Sequence, residues 1–212
     1  MEKIKRTMEA LRKNGMNVTY VGNRNQVVDV LKDMIPAGSV VSHGGSETLK
    51  ECGVRDFLLT GYCKYLDRNQ PGLTPEEITA IYRASFSADF YLTSSNAVTE
   101  KGELYNVDGN SNRIAAICYG PTKVIMVVGI NKIVPDLDAA VRRVKKIAAP
   151  LNTKRLNCKT YCEAQGECAG LDGDMCDGCA SDMRICCNFL VSAKQRVTGR
   201  INVIIVGEEL GY

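Results

Sequence analysis

The chain has 212 residues, of which 45% are hydrophobic and 24% are charged, and its formal net charge is +3. These values are typical of one globular domain with its own hydrophobic core. The charge is too small to indicate a nucleic-acid partner. The sequence has neither an apolar run of roughly 18 residues, as a membrane span needs, nor the apolar segment of a signal peptide. We therefore expect a cytoplasmic protein with no nucleic-acid and no membrane partner.

The first third of the chain alternates between predicted helices and strands. Apolar residues at helical spacing predict a helix over residues 2–14, and a short β-rich run follows it. Pro36 and Gly38 end the second helix. The predicted elements are a strand at 16–21, a helix at 23–35, a strand at 39–43, a short helix after Gly45 and a further strand at 54–59.

The rest of the chain continues the alternation. Thr74, Pro75 and Glu77 form a capping box that begins a helix. Buried-strand runs follow at 90–94 and 123–129, then a helix at 135–149 that Pro150 should stop, and a last strand from residue 200. The basic run at 142–146 is typical of a solvated helix face. We predict an α/β fold with a mostly parallel sheet flanked by helices.

A glycine-rich loop separates the strand at 39–43 from the next helix. Gly44, Gly45 and Ser46 would expose backbone N–H groups there, which suits a phosphate or a carboxylate. The spacing fits no dinucleotide or P-loop motif, so a plain tight turn is the alternative. His43 is the only histidine and could act as a catalytic acid or base at this loop; the alternative is a hydrogen-bonded histidine at a strand end.

Small polar residues are concentrated at 93–113, directly after a buried strand. Ligands of open α/β sheets bind at the carboxyl ends of the strands. Arg113 could therefore clamp an anion and Glu100 could act as a base or nucleophile, with Asn96 and Asn110 as further ligand-binding residues. The alternative is a hairpin over residues 102–117 that turns at Asp108-Gly109.

Cysteines cluster at the end of the chain. Seven of the ten lie within residues 157–189, where hydrophobic periodicity disappears. We interpret this segment as an insert in a single domain that spans 1–212. A segment with so little apolar surface needs another source of order, and a metal centre is one. An iron–sulfur cluster, a structural zinc ion, and free thiols or disulfides all remain open. We expect the other cysteines, Cys52, Cys63 and Cys118, to be small core residues.

Several motifs together resemble the LUD (lactate-utilisation) domain family. They are SHGGSETLKECGV, YLTSSNAVTEKGELYNVDGNSNRIAAICYGPTKVIMVVGINKIV, AAPLNTKRL, CEAQGEC, CASDMRIC and the closing VGEELGY. The resemblance implies a fold like that of ribose-5-phosphate isomerase, glucosamine-6-phosphate deaminase and the CoA transferases. It also implies a link to bacterial oxidation of lactate to pyruvate alongside iron–sulfur partner proteins.

The resemblance further implies which cysteines bind metal. The family's usual cysteines fall on Cys162, Cys168, Cys179 and Cys186, which suffice for one centre, such as a 4Fe-4S cluster or, as the alternative, zinc. Cys158, Cys176 and Cys187 are additional cysteines in this chain. The expected function is an iron–sulfur redox protein or oxidoreductase component that acts on a small anionic metabolite, such as a 2-hydroxy acid. A CoA-transferase-like or sugar-phosphate enzyme and a non-catalytic regulatory protein with a zinc or redox-sensing cysteine knot are the alternatives.

Overall fold

A computed structural model describes all residues from 1 to 212. The prediction of an α/β fold is confirmed, because strands and helices alternate along most of the chain. The strands are β1 (Asn17–Val21), β2 (Val40–His43), β3 (Lys64–Tyr65), β4 (Phe90–Thr93), β5 (Ala97–Thr99), β6 (Leu104–Asp108), β7 (Lys123–Gly129), β8 (Ile133–Val134), β9 (Asn188–Ser192) and β10 (Ile201–Val206).

Nine α-helices accompany the strands. They are α1 (Glu2–Lys13), α2 (Val27–Met34), α3 (Glu47–Glu51), α4 (Val54–Leu59), α5 (Pro75–Ala84), α6 (Asn112–Cys118), α7 (Leu137–Arg143), α8 (Ala149–Arg155) and α9 (Tyr161–Gln165). The predicted capping box of α5 is confirmed, since Thr74 and Glu77 exchange side-chain to backbone hydrogen bonds. None of these helices combines the length and the apolar character that crossing a membrane would require.

The main sheet has six parallel strands in the order β1-β10-β7-β4-β2-β3. Its central strand β7 is buried on both faces. Ile125 and Val127 belong to a core of 17 buried residues on one face, whereas Val124 and Met126 belong to a core of 14 on the other. This explains why the sequence of β7 is apolar without interruption.

A second sheet, which the sequence did not indicate, has the order β8-β5-β6-β9. Strands β5 and β6 are antiparallel, so a hairpin exists, but it turns at residues 100–103. Residues after Gly109 instead enter α6. The strand directly after the cysteine-rich insert, β9, joins this sheet by pairing with β6, and only β10 returns to the main sheet.

Residues 54–59 form a helix, so the predicted strand is wrong. Val54, Phe57 and Leu58 are buried at helical spacing, and Gly53 adopts a φ of +65° that allows the chain to turn between α3 and α4. A six-residue apolar run does not by itself distinguish a helix from a strand. The prediction for Cys118 is also wrong, because this thiol is exposed, whereas Cys52 and Cys63 lie in the core.

Pro150 does not stop the helix at 135–149. A π-helical turn, Val144–Ala148, connects α7 directly to α8, with Pro150 in the first turn of α8. The wider turn accommodates a residue that has no N–H group to donate. The same turn changes which side chains face the interior. Arg143 and Lys145 are consequently buried, contrary to the predicted solvated face, whereas Arg142 and Lys146 are exposed.

Candidate functional site

A large crevice opens at the carboxyl ends of the main-sheet strands. Its volume is about 970 Å³, at the upper end of the range for small-molecule sites. Strand β2 contributes His43, the segment after β4 contributes Asn96, and the turn after β7 contributes Lys132. The structure brings six of the residues predicted from the sequence to this crevice: His43, Gly45, Ser46, Asn96, Asn110 and Arg113.

Glu100 and Gly44 do not line the crevice. Glu100 follows β5 in the second sheet and forms an ion pair with Arg6 of α1, with 2.6 Å between Nη2 and Oε2. The structure therefore does not bring Glu100 to the other predicted residues. Gly44 lies behind the crevice wall, where an added Cβ would approach Arg113 Cδ to 3.0 Å and the Tyr91 hydroxyl to 3.1 Å. A larger residue there would push the Arg113 and Tyr91 side chains outward by a few tenths of an ångström, so the close packing of the loop favours glycine.

The glycine loop offers free hydrogen-bond donors to the crevice. The backbone N–H groups of Gly45 and Ser46 donate to no acceptor within the protein. His43 Nδ1 donates to the Gly44 carbonyl at 2.6 Å, which leaves Nε2 as a buried acceptor without a partner. Burial lowers the pKa of His43, so the neutral ring is favoured. The ring also stacks on Tyr65.

Positive charge predominates around the crevice. Six Lys or Arg side chains line it against three Asp or Glu side chains. Among the arginines, Arg68 has no carboxylate partner. It stacks over the Tyr82 ring, donates from Nη1 to the Tyr82 hydroxyl and leaves its buried Nε without an acceptor. No sequence motif indicates Arg68, although its free donors suit an anion better than those of any other crevice arginine.

All the hydrogen-bond donors of Arg113 are used within the protein. Its five N–H groups donate to Asp108, Asn106, Asn96 and the carbonyls of Ser94 and Val107, at 2.7–3.2 Å. An arginine has no further donors. The expected anion clamp at Arg113 is therefore not what the structure shows, and this side chain instead holds the crevice wall together.

Lys132 lies on the crevice wall and is almost entirely buried, with 3% of its surface exposed. Its Nζ donates to the hydroxyls of Thr48 at 2.8 Å and Ser94 at 3.0 Å. Burial, assisted by the positive charges of Arg143 and Arg113, lowers its pKa to about 7, and Glu51 and Cys52 oppose this shift only in part. The sequence around Lys132 does not indicate this burial, because isolated lysines are usually exposed.

The lowered pKa of Lys132 predicts a pH dependence of stability. Its pKa falls from an ordinary 10.5 to about 7 on folding. Between these values the unfolded chain binds a proton that the folded protein does not, so stability should rise with pH. Relative to Lys132→Met, wild-type stability should increase by up to about 1.4 kcal/mol per pH unit across this window. Urea unfolding from pH 7 to 10 would measure it, and parallel curves for the two proteins would contradict it.

The insert forms a second, much smaller cavity. Residues 166–187 contain no helix or strand. All four cysteines of the family pattern line this cavity: Cys162, Cys168, Cys179 and Cys186. The three additional cysteines do not line it; Cys158 is buried elsewhere, and Cys176 and Cys187 are exposed.

The four lining cysteines interact electrostatically. Burial and, to a smaller extent, the neighbouring thiols of Cys162, Cys168 and Cys179 raise the pKa of Cys186 to about 12, and Arg184 opposes this shift. The Cys186 thiol therefore resists ionisation unless a cation joins it, and a metal ion supplies that charge. The donor set therefore fits a four-thiolate metal centre. No three His, Cys, Asp or Glu side chains are grouped closely enough here to hold an ion, so binding one would require the sulfurs to approach one another.

The π-helical turn positions the insert. The Lys145 carbonyl would pair with the N–H of residue 150 in π-helical register, but Pro150 has none. This carbonyl accepts the Cys168 N–H at 3.0 Å instead. The Lys145 ammonium, which also lines the cysteine cavity, donates to the carbonyls of Gly170, Gly173 and Asp174 at 2.5–3.1 Å. Lys145 thus orders the insert from both its backbone and its side chain.

The cysteine cavity and the crevice share a wall. Cys186 and Ile185 line both, and so do Val144 and Ala149. One of the four lining thiols therefore lies between the two cavities. This proximity is a consequence of folding, because Cys186 lies far along the chain from the glycine loop.

The family model of the LUD domain matches residues 4–206. The chain belongs to the LUD domain family. No curated protein matches it. Among solved structures, the LUD chain is similar to a DUF162 family protein from Deinococcus radiodurans, with 17% identity, 97% of both chains covered and a TM-score of 0.52. A weaker similarity, to eIF2B beta from Chaetomium thermophilum, has 16% identity, covers 53% of this chain and 39% of that chain, and has a TM-score of 0.34.

Proposed function

We propose that this LUD protein is an electron-transfer protein or oxidoreductase component that binds a small anionic metabolite, such as a 2-hydroxy acid, in the crevice. The observation that carries the proposal is the wall shared by the crevice and the cysteine cavity through Cys186. Arg68 and the free N–H groups of Gly45 and Ser46 would bind the carboxylate, and Nε2 of the neutral His43 would accept a hydrogen bond from the 2-hydroxyl group.

Cys162, Cys168, Cys179 and Cys186 would hold an iron–sulfur cluster. When bound, such a cluster supplies one-electron transfer, and iron–sulfur proteins or other redox proteins would then be its partners. Thr153 and Thr160 place hydroxyls 3.6 and 3.4 Å from Cys162 Sγ. Hydrogen bonds to cluster sulfurs tune the reduction potential.

A structural zinc ion in a regulatory protein is the second candidate. The cysteine cavity has a volume of about 20 Å³, about the space of one water molecule, which favours a single ion unless the walls move apart. By contrast, the CoA-transferase alternative needs Glu100 as its nucleophile. Glu100 lies away from the crevice and pairs with Arg6, so this alternative gains no support.

Two matched pairs of variants test the metal centre. After anaerobic purification, we expect the wild-type protein to contain iron and sulfide and to absorb at roughly 400 nm. Cys186→Ser and Cys179→Ser should lose most of the metal. Cys187→Ser and Cys176→Ser, which change neighbouring cysteines outside the cavity, should retain it.

The outcomes separate the candidates. Zinc without iron would support the second candidate. A wild-type protein without any metal, or equal metal loss in both members of each pair, would refute the four-cysteine centre.

A further inference from the structure

Lys132 has no structural role that requires its charge. It lies in the turn between β7 and β8, and no carboxylate lies within 4.0 Å of its Nζ. The neighbouring cations Arg113 and Arg143 disfavour a positive charge there. Burying an unpaired ammonium group is costly, so such a lysine calls for another explanation.

The hydrogen bonds around Nζ match a neutral amine. Thr48 donates its hydroxyl hydrogen to the Leu210 carbonyl, and Ser94 donates its own to the Ser95 carbonyl, so both hydroxyls can only accept from Lys132. Two acceptors satisfy the two N–H groups of a neutral amine. The nitrogen lone pair then has no partner, and Lys132 lines the crevice.

We infer that Lys132 is a nucleophilic amine that forms a reversible imine with the carbonyl group of a 2-oxo acid bound in the crevice. The amine nitrogen attacks the carbonyl carbon, a C=N bond replaces the C=O bond, and the carbonyl oxygen leaves as water. No oxidant or reductant is consumed. The inference rests on the proposed anion-binding crevice but not on the metal centre.

The chemistry of the crevice selects this ligand class. Imine formation requires an aldehyde or ketone and an amine that is not protonated. Lysines that are desolvated and lie next to other cations meet the second condition, and burial with two nearby arginines lowers the pKa of Lys132 to about 7. The unpaired Arg68 and the free N–H groups of Gly45 and Ser46 suit a carboxylate. A carbonyl beside a carboxylate defines a 2-oxo acid.

Borohydride trapping tests the inference. Wild-type protein is incubated with pyruvate as the probe, sodium borohydride is added to reduce any imine to a stable secondary amine, and the modified lysine is mapped by mass spectrometry. We expect one adduct on Lys132, with an added mass equal to pyruvate less one oxygen atom. Lactate, which has no carbonyl group, should yield no adduct but should reduce adduct formation when it competes with pyruvate.

Binding of pyruvate, measured by calorimetry on the same protein preparation, separates the inference about Lys132 from the proposed anion-binding crevice. Binding without an adduct on Lys132, or an adduct spread over exposed lysines at equal rates, would overturn the inference and leave the anion crevice standing. Absence of binding would overturn both. The mapping uses wild-type protein, so it does not depend on whether Lys132→Met folds; that variant, where folded, should bind pyruvate without forming the adduct.

Discussion

Replacing Arg113 by alanine should destabilise the protein by about 3–5 kcal/mol, the cost of removing one partner from a buried charged pair. Only 12% of the Arg113 side chain and 10% of that of Asp108 are exposed. The substitution leaves the Asp108 carboxylate without its cation. It also removes the donors that reach Asn96 and Asn106. Equilibrium urea unfolding would measure the loss, which corresponds to a fall in Tm of roughly 10 °C.

Two further variants make this result interpretable. Arg113→Lys keeps the charge but not the planar group of five donors, so an intermediate loss is expected. Arg83→Ala removes an exposed arginine that has no side-chain partner, and it should change stability by less than about 0.5 kcal/mol. If Arg113→Ala were as stable as Arg83→Ala, Arg113 would not hold the crevice wall together.

Replacing Lys145 by methionine should loosen the insert while the main sheet keeps its stability. The methionine keeps much of the buried apolar contact but removes all three hydrogen bonds to the carbonyls of residues 170, 173 and 174. Each bond contributes about 1 kcal/mol, so amide hydrogen exchange over 168–179 should accelerate by roughly 10-fold or more. Because this segment carries two of the four lining cysteines, metal loading should fall as well.

Lys146→Met is the matched control, since it changes the exposed neighbour on the same turn. It should leave both hydrogen exchange and metal content unchanged. Amide hydrogen exchange in strands β7 and β10 should proceed at the same rate in both variants, because these strands lie in the main sheet. Uniformly faster exchange throughout Lys145→Met would show instead that the lysine supports the whole fold.

Local sequence determined much of the architecture. The alternation of helices and strands, the continuous apolar run of β7 and the capping box at Thr74 each depend on residues close together in the chain, and the structure has them all. The motif resemblance identified the family in the same way, since those motifs are contiguous. The sequence was ambiguous at 54–59, where a short apolar run suits either a helix or a strand. It was also ambiguous at Pro150, because whether the helix continues past this residue depends on a π-helical turn.

Tertiary structure decided which polar residues form the site. Lys132 donates hydrogen bonds to Thr48 and Ser94, which lie 84 and 38 positions away from it in the chain. No local sequence pattern predicts contacts over such separations. Arg113 is chemically able to bind an anion, but its donors are consumed by neighbours that only folding brings together. The location of Cys186 between two cavities likewise follows from how the insert packs on the π-helical turn. Residue type and spacing determine what a side chain can do, whereas its burial and partners, set by distant parts of the chain, determine what it does.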